Sequence, residues 1–256
     1  MRIVLSPAGH EAQGLRRWHF EVGETAVTIL CDEAFLPVAR ESIFRSRHVI
    51  ERFIRDDPLF GVTLEPYEAK GEVHPLIARM CDAAALADVG PMAAVAGAIA
   101  EQAVMDMQDA GAEQAVVDNG GDIAFLLRDE VTVALYAGEG VKGIGFRVAP
   151  RDGVFGMCTS SGTVGPSISF GLADAATVVA ENVALADACA TRLGNLVAEP
   201  TDGVMRAAVD LIAAVPGIDG ALVAARDRIA MKGRLPEMVR VAADPSKITR
   251  VELSGR

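Results

Sequence analysis

Apolar and polar residues alternate along residues 15–31, which is the period of a β-strand with one buried face. Trp18, Phe20 and Val22 are separated by polar residues, and a turn at Gly23 precedes a second apolar stretch. Because the side chains of a strand point alternately to opposite faces, this pattern predicts a β-hairpin.

A helical period follows the hairpin. Apolar residues recur every three or four positions from Pro37 to Asp56, which predicts an amphipathic helix that ends before Pro58. Two more helices are predicted, at 74–88 and from Pro91 to about residue 109. The last one is rich in Ala and Gly, so it has little side-chain bulk on any face.

The second half of the chain combines strands with helices. The predicted strands are Gln114–Val117, Ile123–Leu127, Val131–Tyr136, Gly143–Val148, Ala175–Ala180, Ala221–Ala225, Arg228–Lys232 and Met238–Ala242. The first four are expected to form an antiparallel meander. Two helices are predicted, one at 183–193 capped by Asn182 and one at 201–215. This mixture indicates an α+β fold of antiparallel sheets and packed helices, in one domain over residues 1–256.

Charge and hydropathy exclude two classes of partner. Thirty-five acidic residues against 24 basic ones give a net charge of -11, which would repel the phosphate backbone of a nucleic acid. The hydrophobic share is 51%, but charged residues or Gly interrupt every apolar stretch before it reaches membrane-spanning length. The N-terminus lacks the apolar region of a secretory signal. We therefore expect no nucleic acid, no membrane and a cytoplasmic location.

Cysteine and histidine positions limit the chemistry. The four cysteines have no paired spacing, so reduced thiols are expected: Cys31, Cys81, Cys158 and Cys189. All four histidines fall in the first third of the chain: His10, His19, His48 and His74. A Ser-His-Asp site confined to the later segment is therefore excluded.

Two short segments could bind a nucleotide. In the first, Asn119 to Asp122 (NGGD), adjacent glycines would let a ligand lie against the backbone, although Asn-Gly between strands is also the best short hairpin signal. The second, Cys158 to Thr163 (CTSSGT), is predicted to be a loop whose hydroxyls could bind phosphate or ribose oxygens. A turn that satisfies its own backbone is the alternative.

A third segment, Ala186 to Thr191 (ADACAT), could hold a cation. Asp187 and Thr191 lie four positions apart, hence on one face of a predicted helix, and their neighbours are small. Such a pair suits Mg²⁺ with substrate phosphate oxygens. In the alternative, Thr191 bonds to its own helix and Asp187 lies in solvent. The helix start at Gly90 could likewise accept an anion or serve close packing.

These segments, in this order, resemble the ApbE family of flavin transferases. That resemblance implies binding of FAD, use of Mg²⁺, and transfer of FMN onto a Ser or Thr of a target protein. It makes Asp187 and Thr191 the metal ligands. The residues that it places at the flavin or nucleotide are Asn119, Gly120, Gly121, Asp122, Thr159, Ser160, Ser161 and Gly162.

The closer likeness, over roughly residues 80 to 240, is to an uncharacterised branch of the same superfamily. It is carried by the stretches that begin at Val89 (VGPMAAVAG), Thr159 (TSSGTVG) and Ile218 (IDGAL). This likeness implies a T-fold-like architecture and a link to sulfur assimilation towards homocysteine.

The chain departs from the flavin transferases at two motifs, one of which is their Gly-Lys-Gly-Tyr helix, replaced here by the Ala- and Gly-rich helix after Pro91. Their His-Ile-x-Asp-Pro sequence is replaced by Ser167 to Gly171 (SISFG), so the family's histidine base is absent. Aromatic residues are only 5% of the chain, which leaves few platforms for stacking a flavin.

Three functions remain open from the sequence. The first is a Mg²⁺-dependent flavin transferase in which Asp118, Asp122 or Asp174 replaces the missing base. The second is a component of sulfide incorporation into homocysteine that uses Cys158 or Cys189. The third is a non-catalytic module that binds a nucleotide or a protein, including a second copy of the chain.

Overall fold

The computed structural model describes residues 2–4, 15–22, 25–137, 141–161 and 171–241. The turn at Gly23, the candidate Gly162, and most of 167–171 fall outside these residues. The strands are β1 Arg2–Val4, β2 Leu15–Val22, β3 Thr25–Asp32, β4 Ala115–Asn119, β5 Asp122–Leu126, β6 Val131–Ala137, β7 Val141–Val148, β8 Phe155–Ser160, β9 Ala175–Ala180, β10 Ile218–Ala225, β11 Arg228–Gly233 and β12 Glu237–Arg240.

The helices pack on one side of the strands. They are α1 Leu36–Asp56, α2 Pro58–Val62, α3 Pro75–Ala87, α4 Val95–Asp109, α5 Val183–Leu196 and α6 Asp202–Ala213, with 3₁₀ turns at Glu33–Phe35 and Pro91–Ala94. Among the described helices none is both long and apolar enough to cross a bilayer alone, while the bent pair Pro75–Ala87 and Pro91–Asp109 passes by length and composition together.

The described strands form two antiparallel sheets. The larger has the order β11-β10-β9-β8-β5-β4-β3-β2, and the smaller has the order β1-β6-β7-β12. The α+β class predicted from the sequence is therefore confirmed.

The larger sheet lies between two layers. Val117 and Ala124 belong to the core shared with the helices, whereas Val116 and Ile123 belong to the core shared with the smaller sheet. Because successive side chains of a strand point to opposite faces, β4 is buried on both faces. The layers are helices, the large sheet and the small sheet.

Most predicted elements are confirmed within a few residues. The helix predicted from Pro91 begins as a 3₁₀ turn and continues as α4. Asn182 caps α5 as predicted, because its Oδ1 accepts a hydrogen bond of 2.8 Å from the Leu185 N–H. Thr201 caps α6 in the same manner.

The predicted four-strand meander is wrong. The hairpin β4–β5 lies in the large sheet, whereas the hairpin β6–β7 lies in the small one, and β5 pairs with β8 on its other side. Local sequence favours pairing within each hairpin, but contacts with distant strands decide which sheet a hairpin joins.

The loop predicted at Cys158–Thr163 is also partly wrong. Cys158, Thr159 and Ser160 lie inside β8, which is paired with β5 and β9. A run of Ser and Thr is typical of exposed turns, but here the neighbouring strands satisfy its backbone.

Glycines allow α5 to approach its neighbours closely. A Cβ added at Gly97 of α4 would lie 2.6 Å from the Val183 carbonyl oxygen and 2.7 Å from Asp187 Cβ. A Cβ at Gly156 of β8 would lie 2.6 Å from Val183 Cγ1. At Gly90 it would lie 1.9 Å from the Thr63 carbonyl oxygen, so close packing is the structural role of that glycine.

Gly97→Ala is expected to destabilise the protein, because its added methyl group meets backbone atoms that cannot move without separating α4 and α5. Overpacking of this kind lowers the free energy of unfolding by about 1–3 kcal/mol. The control is Gly203→Ala in α6, where a Cβ meets nothing within 4 Å and where Ala favours the helix by up to about 1 kcal/mol. Urea denaturation of both variants measures the difference, and equal stability would contradict the close approach.

Candidate functional site

The predicted turn at Asn119 is a two-residue hairpin that joins β4 to β5. Asn119 pairs directly with Asp122 across it. Gly120 and Gly121 have φ of 70° and 111°, which glycine adopts without strain. The hairpin interpretation of this motif is therefore correct, and the binding interpretation has to rest on the turn's surroundings.

Asn119 attaches this turn to the helix layer. Its side chain is buried, and its Nδ2 donates a hydrogen bond of 3.1 Å to the Ala96 carbonyl oxygen near the start of α4. A turn formed only by its own strands would not need this contact. The turn and the first residues of α4 are thus held at one end of the large sheet.

Asp187 holds the first turn of α4. Its carboxylate is only 7% exposed, and Oδ2 accepts a hydrogen bond of 2.8 Å from the Gly97 N–H. The backbone of Ala96 also hydrogen-bonds to it. The sequence alternative that placed Asp187 in solvent is therefore wrong.

Glu101 holds α5 in return. This buried residue of α4 accepts hydrogen bonds from the backbone of Val183 and Ala184, with 3.4 Å between Oε2 and the Ala184 nitrogen. Burial raises the pKa of Glu101, although Arg79, 3.8 Å away, opposes that rise. The two helices thus cap each other through carboxylates, and both N-terminal ends lie at the site.

Asp122 and Asp187 are buried carboxyls whose charges interact. Burial raises the pKa of Asp122 to about 7, with a further rise from the neighbouring Asp118 charge. Burial, and then the charge of Asp122, raise the pKa of Asp187 well above its ordinary range. The Cys158 thiol contacts Asp122 and donates a 3.5 Å hydrogen bond to the Val183 carbonyl oxygen. Two carboxyls in such surroundings favour a proton or a cation between them.

Strand alternation separates the predicted hydroxyl residues. Ser160 is on the helix face with Cys158, is only 8% exposed, and its Oγ has no hydrogen-bond partner. Thr159 is on the opposite face, where its Oγ1 lies 2.9 Å from the Oγ1 of buried Thr177. Ser161, half-buried, follows the strand.

The structure therefore brings four of the candidates to one face of the large sheet: Asn119, Asp122, Ser160 and Asp187. It does not bring the Thr159 side chain there. Asp118 also lies away from this face, where its Oδ1 accepts a 2.9 Å hydrogen bond from the Gly121 N–H. Burial raises the pKa of Asp118.

A cation at Asp187 would need few protein ligands. Thr191 is half-buried one turn after Asp187 on α5. Within the described ranges, no group of three or more His, Cys, Asp or Glu side chains could hold a metal ion. Mg²⁺ suits this composition because it commonly takes one or two carboxylates and completes its shell with water and phosphate oxygens. The backbone hydrogen bonds from Gly97 and Ala96 orient the carboxylate of Asp187 and leave further acceptor capacity.

Sequence reasoning missed Glu101 and the contact at Gly97. A signal was present, since Glu101 follows the apolar run Ala98 to Ala100 at a point where the helix is otherwise Ala-rich. An acid in such a run is rarely buried unless it is partnered. Its partners, the N–H groups of a helix more than 80 residues later, are not readable from the sequence.

All four cysteines are buried free thiols in the structure. Burial raises the pKa of Cys31 to about 11 and that of Cys189 to about 12, and raises the pKa of Cys158 well above the ordinary value. A thiolate is the reactive form of cysteine. The surroundings of Cys158 and Cys189 therefore disfavour the sulfur-carrying role.

Comparison with known proteins shows the family of this chain. The family model described as AbpE bacteria matches residues 8–226. The chain belongs to this family. The UPF0280 protein of Methanocella arvoryzae is 47% identical over 232 residues, covering 90% of this chain and 94% of that protein. The UPF0280 protein of Archaeoglobus fulgidus is 42% identical over 239 residues, covering 92% of this chain and 100% of that protein.

Solved structures share the fold at low sequence identity. The apo flavinyl transferase ApbE of Pseudomonas stutzeri has a TM-score of 0.54 at 11% identity, covering 85% of this chain and 94% of that one. The ApbE protein of Thermotoga maritima has a TM-score of 0.52 at 13% identity, covering 89% and 97%. The predicted resemblance to the ApbE-like superfamily and to its uncharacterised branch is confirmed.

Asp122 is expected to make the protein less stable as pH rises. Its pKa of about 7 in the folded state exceeds its ordinary value of 3.8. Folding therefore favours the protonated carboxyl, and this contribution is complete below about pH 4 and lost as pH rises through about 7. In metal-free buffer the melting temperature should fall between about pH 5 and pH 8.

Asp122→Asn should reduce this fall in melting temperature, because an amide does not ionise. The neighbouring groups Asp118, Asp187 and the Cys158 thiol are unchanged in this variant. The control is Asp152→Asn at an exposed turn before β8, which should keep the wild-type slope. Parallel slopes for all three proteins would show that Asp122 does not titrate in this range.

Thiol titration is expected to find four cysteines in denaturant and almost none in the folded protein. The reason is that every thiol is buried, so reagent reaches it only when the structure opens. The measurement uses a chromogenic disulfide reagent with and without denaturant, under non-reducing conditions. Rapid reaction of one native thiol would contradict the buried position of that residue.

Proposed function

We propose that the protein binds FAD together with Mg²⁺ beside α5 and transfers the FMN portion to a hydroxyl group of another protein. One observation carries the proposal. Asp122 and Asp187 lie near enough for the charge of one to act on the other, and the unpartnered Ser160 hydroxyl is on the same face of the large sheet as Asp122. The fold shared with the flavinyl transferase ApbE of Pseudomonas stutzeri supports it.

The cation follows from the charges. Burial raises the pKa of both carboxyls, and the charge of Asp122 raises the pKa of Asp187 further, so a cation beside them would favour their ionised forms. Asp187 and Thr191 would hold the ion, and it would neutralise charge on the phosphates. Asp187 and Thr191 are one turn apart on α5, so a single helix would carry both ligands.

The nucleotide would lie along the turn and the end of β8. Gly120 is exposed, and a Cβ there would meet nothing within 4 Å, so a ligand has free access to its backbone. The Ser160 hydroxyl can donate to a phosphate or ribose oxygen, which would give this buried polar atom a partner.

The transfer needs a base. The acceptor hydroxyl oxygen forms a bond to the FMN phosphorus, the bond to the AMP oxygen breaks, and the hydroxyl proton must leave. No histidine follows His74 in the sequence. Asp122, with a pKa of about 7, is suited to take the proton near neutral pH.

The two other proposed bases are less well placed. Asp118 lies on the opposite face and accepts a hydrogen bond from Gly121. Asp174 accepts a 2.6 Å hydrogen bond from the Arg226 N–H at the turn between β10 and β11. Both carboxyls therefore already accept hydrogen bonds from the backbone of turns.

Asp187→Asn and Thr191→Val are expected to weaken Mg²⁺ binding by about tenfold or more in the presence of FAD, since each removes one ligand oxygen, a loss of about 1.4 kcal/mol or more. Asn is chosen because Ala would also remove the cap of α4 and lower stability by about 1–2 kcal/mol. Calorimetric titration of Mg²⁺ measures the effect.

The matched control is Asp210→Asn, which removes one negative charge from an exposed position of α6. It should bind Mg²⁺ like the wild type. Equal binding by all four proteins would make Asp187 a structural cap only.

Catalysis is tested separately by AMP release from FAD, with water in place of the acceptor hydroxyl. We expect release that depends on Mg²⁺ and is lost in Asp122→Asn, while that variant still retains FAD. Retention of FAD without AMP release by the wild type would favour the non-catalytic binding module.

A further inference from the structure

The three most exposed large apolar side chains of the described residues lie within one short segment. Leu59, Val62 and Leu64 are 59%, 72% and 62% exposed. Leu59 and Val62 are three positions apart in α2 and share its outer side. We call these three residues the α2 patch. Such a concentration of exposed apolar surface is typical of a binding surface.

Buried contacts fix the position of the α2 patch. Phe60 is fully buried and makes edge-to-face contacts with Phe53 and Tyr67, at centroid distances of 4.8 Å and 5.5 Å. Asp57 caps α2 by accepting from the Leu59 N–H at 3.2 Å, and the Tyr67 hydroxyl donates to its other oxygen. A surface fixed in this way loses little conformational entropy on binding.

The segment of the α2 patch is connected to the helices of the candidate site. The Thr63 backbone packs against Gly90, which has no room for a side chain and leads directly into the 3₁₀ turn before α4. Two residues earlier, Asp88 forms a 2.7 Å ion pair with Arg192, the residue next to Thr191. These contacts connect the segment that carries the α2 patch to α5, the helix of the proposed cation ligands.

The charge beside the α2 patch selects the partner. The residues that follow it include three exposed acids, Glu65, Glu68 and Glu72, with Lys70 among them. Within the described part of the chain, none of the three acids has an ion-pair partner. A partner that brings apolar side chains flanked by Lys or Arg would bury the apolar surface and neutralise these charges.

We propose that the α2 patch docks the acceptor protein through a segment that combines apolar anchors with basic residues. Calling this partner the acceptor rests on the proposed function. The argument from apolar and charge complementarity does not depend on that function. Val62, as the most exposed residue of the α2 patch, would be its central contact.

The test uses the full chain and a fluorescein-labelled model peptide of Leu and Lys in helical alternation, with a Leu and Glu peptide as its acidic counterpart. Anisotropy is expected to show binding of the basic peptide that Val62→Asp and Leu64→Asp each weaken by about tenfold, equivalent to about 1.4 kcal/mol. The matched control is Leu211→Asp, which adds the same charge at a 49% exposed leucine of α6 and should bind like the wild type. Melting temperatures verify that the variants fold.

Several outcomes would overturn the docking surface. These are equal loss in Leu211→Asp, no loss in either patch variant, or equal binding of the acidic peptide. Sedimentation tests one more contradicting outcome. If the wild type is a dimer and Val62→Asp is a monomer, a second copy of the chain covers the α2 patch. FAD retention measured on the same samples distinguishes the proposed function from the docking surface. Failure of FAD binding alone overturns the proposed function, while loss of dependence on Val62 alone overturns the docking surface.

Discussion

Helices α4 and α5 hold each other's first turn through buried carboxylates. Asp187 on α5 accepts from the backbone of Gly97, and Glu101 on α4 accepts from that of Val183 and Ala184. Helix N-termini carry unpaired N–H groups and partial positive charge, so an acid placed there is favourable on both counts. Gly97 lets the backbones approach closely enough for both contacts. The orientation of Asp187, and with it the whole candidate site, follows from this mutual arrangement.

Burial of the large sheet on both faces gives a short motif two distinct environments. Ser160 points to the helices and Thr159 to the small sheet, although they are neighbours in the sequence. The same alternation separates Asp122 from Asp118. A stretch of hydroxyls and carboxylates that looks like one site in the sequence is therefore divided, with one set near α5 and the other between the sheets.

Sequence patterns predicted the features that depend on contacts between residues close in the sequence. Helical periodicity located α1, Asn182 was recognised as a cap, and the two glycines after Asn119 indicated the hairpin. Sheet membership and the strand at Cys158 were not predicted, because they depend on pairing with distant strands. The candidate site shows the same limit. Asp187 could be selected from its motif, but its burial and its contacts with Gly97 and Asp122 come from separate parts of the chain.

The mutual caps also have a consequence for how the chain folds. The hydrogen bonds between Gly97 and Asp187 and between Ala184 and Glu101 span 90 and 83 residues. During synthesis α4 emerges long before the carboxylate that caps it, and the loop between them must close at an entropic cost before either bond forms. Contacts of such long range slow folding. We therefore expect this helix pair to dock late and as a unit, so that a chain interrupted before α5 leaves the first turn of α4 uncapped.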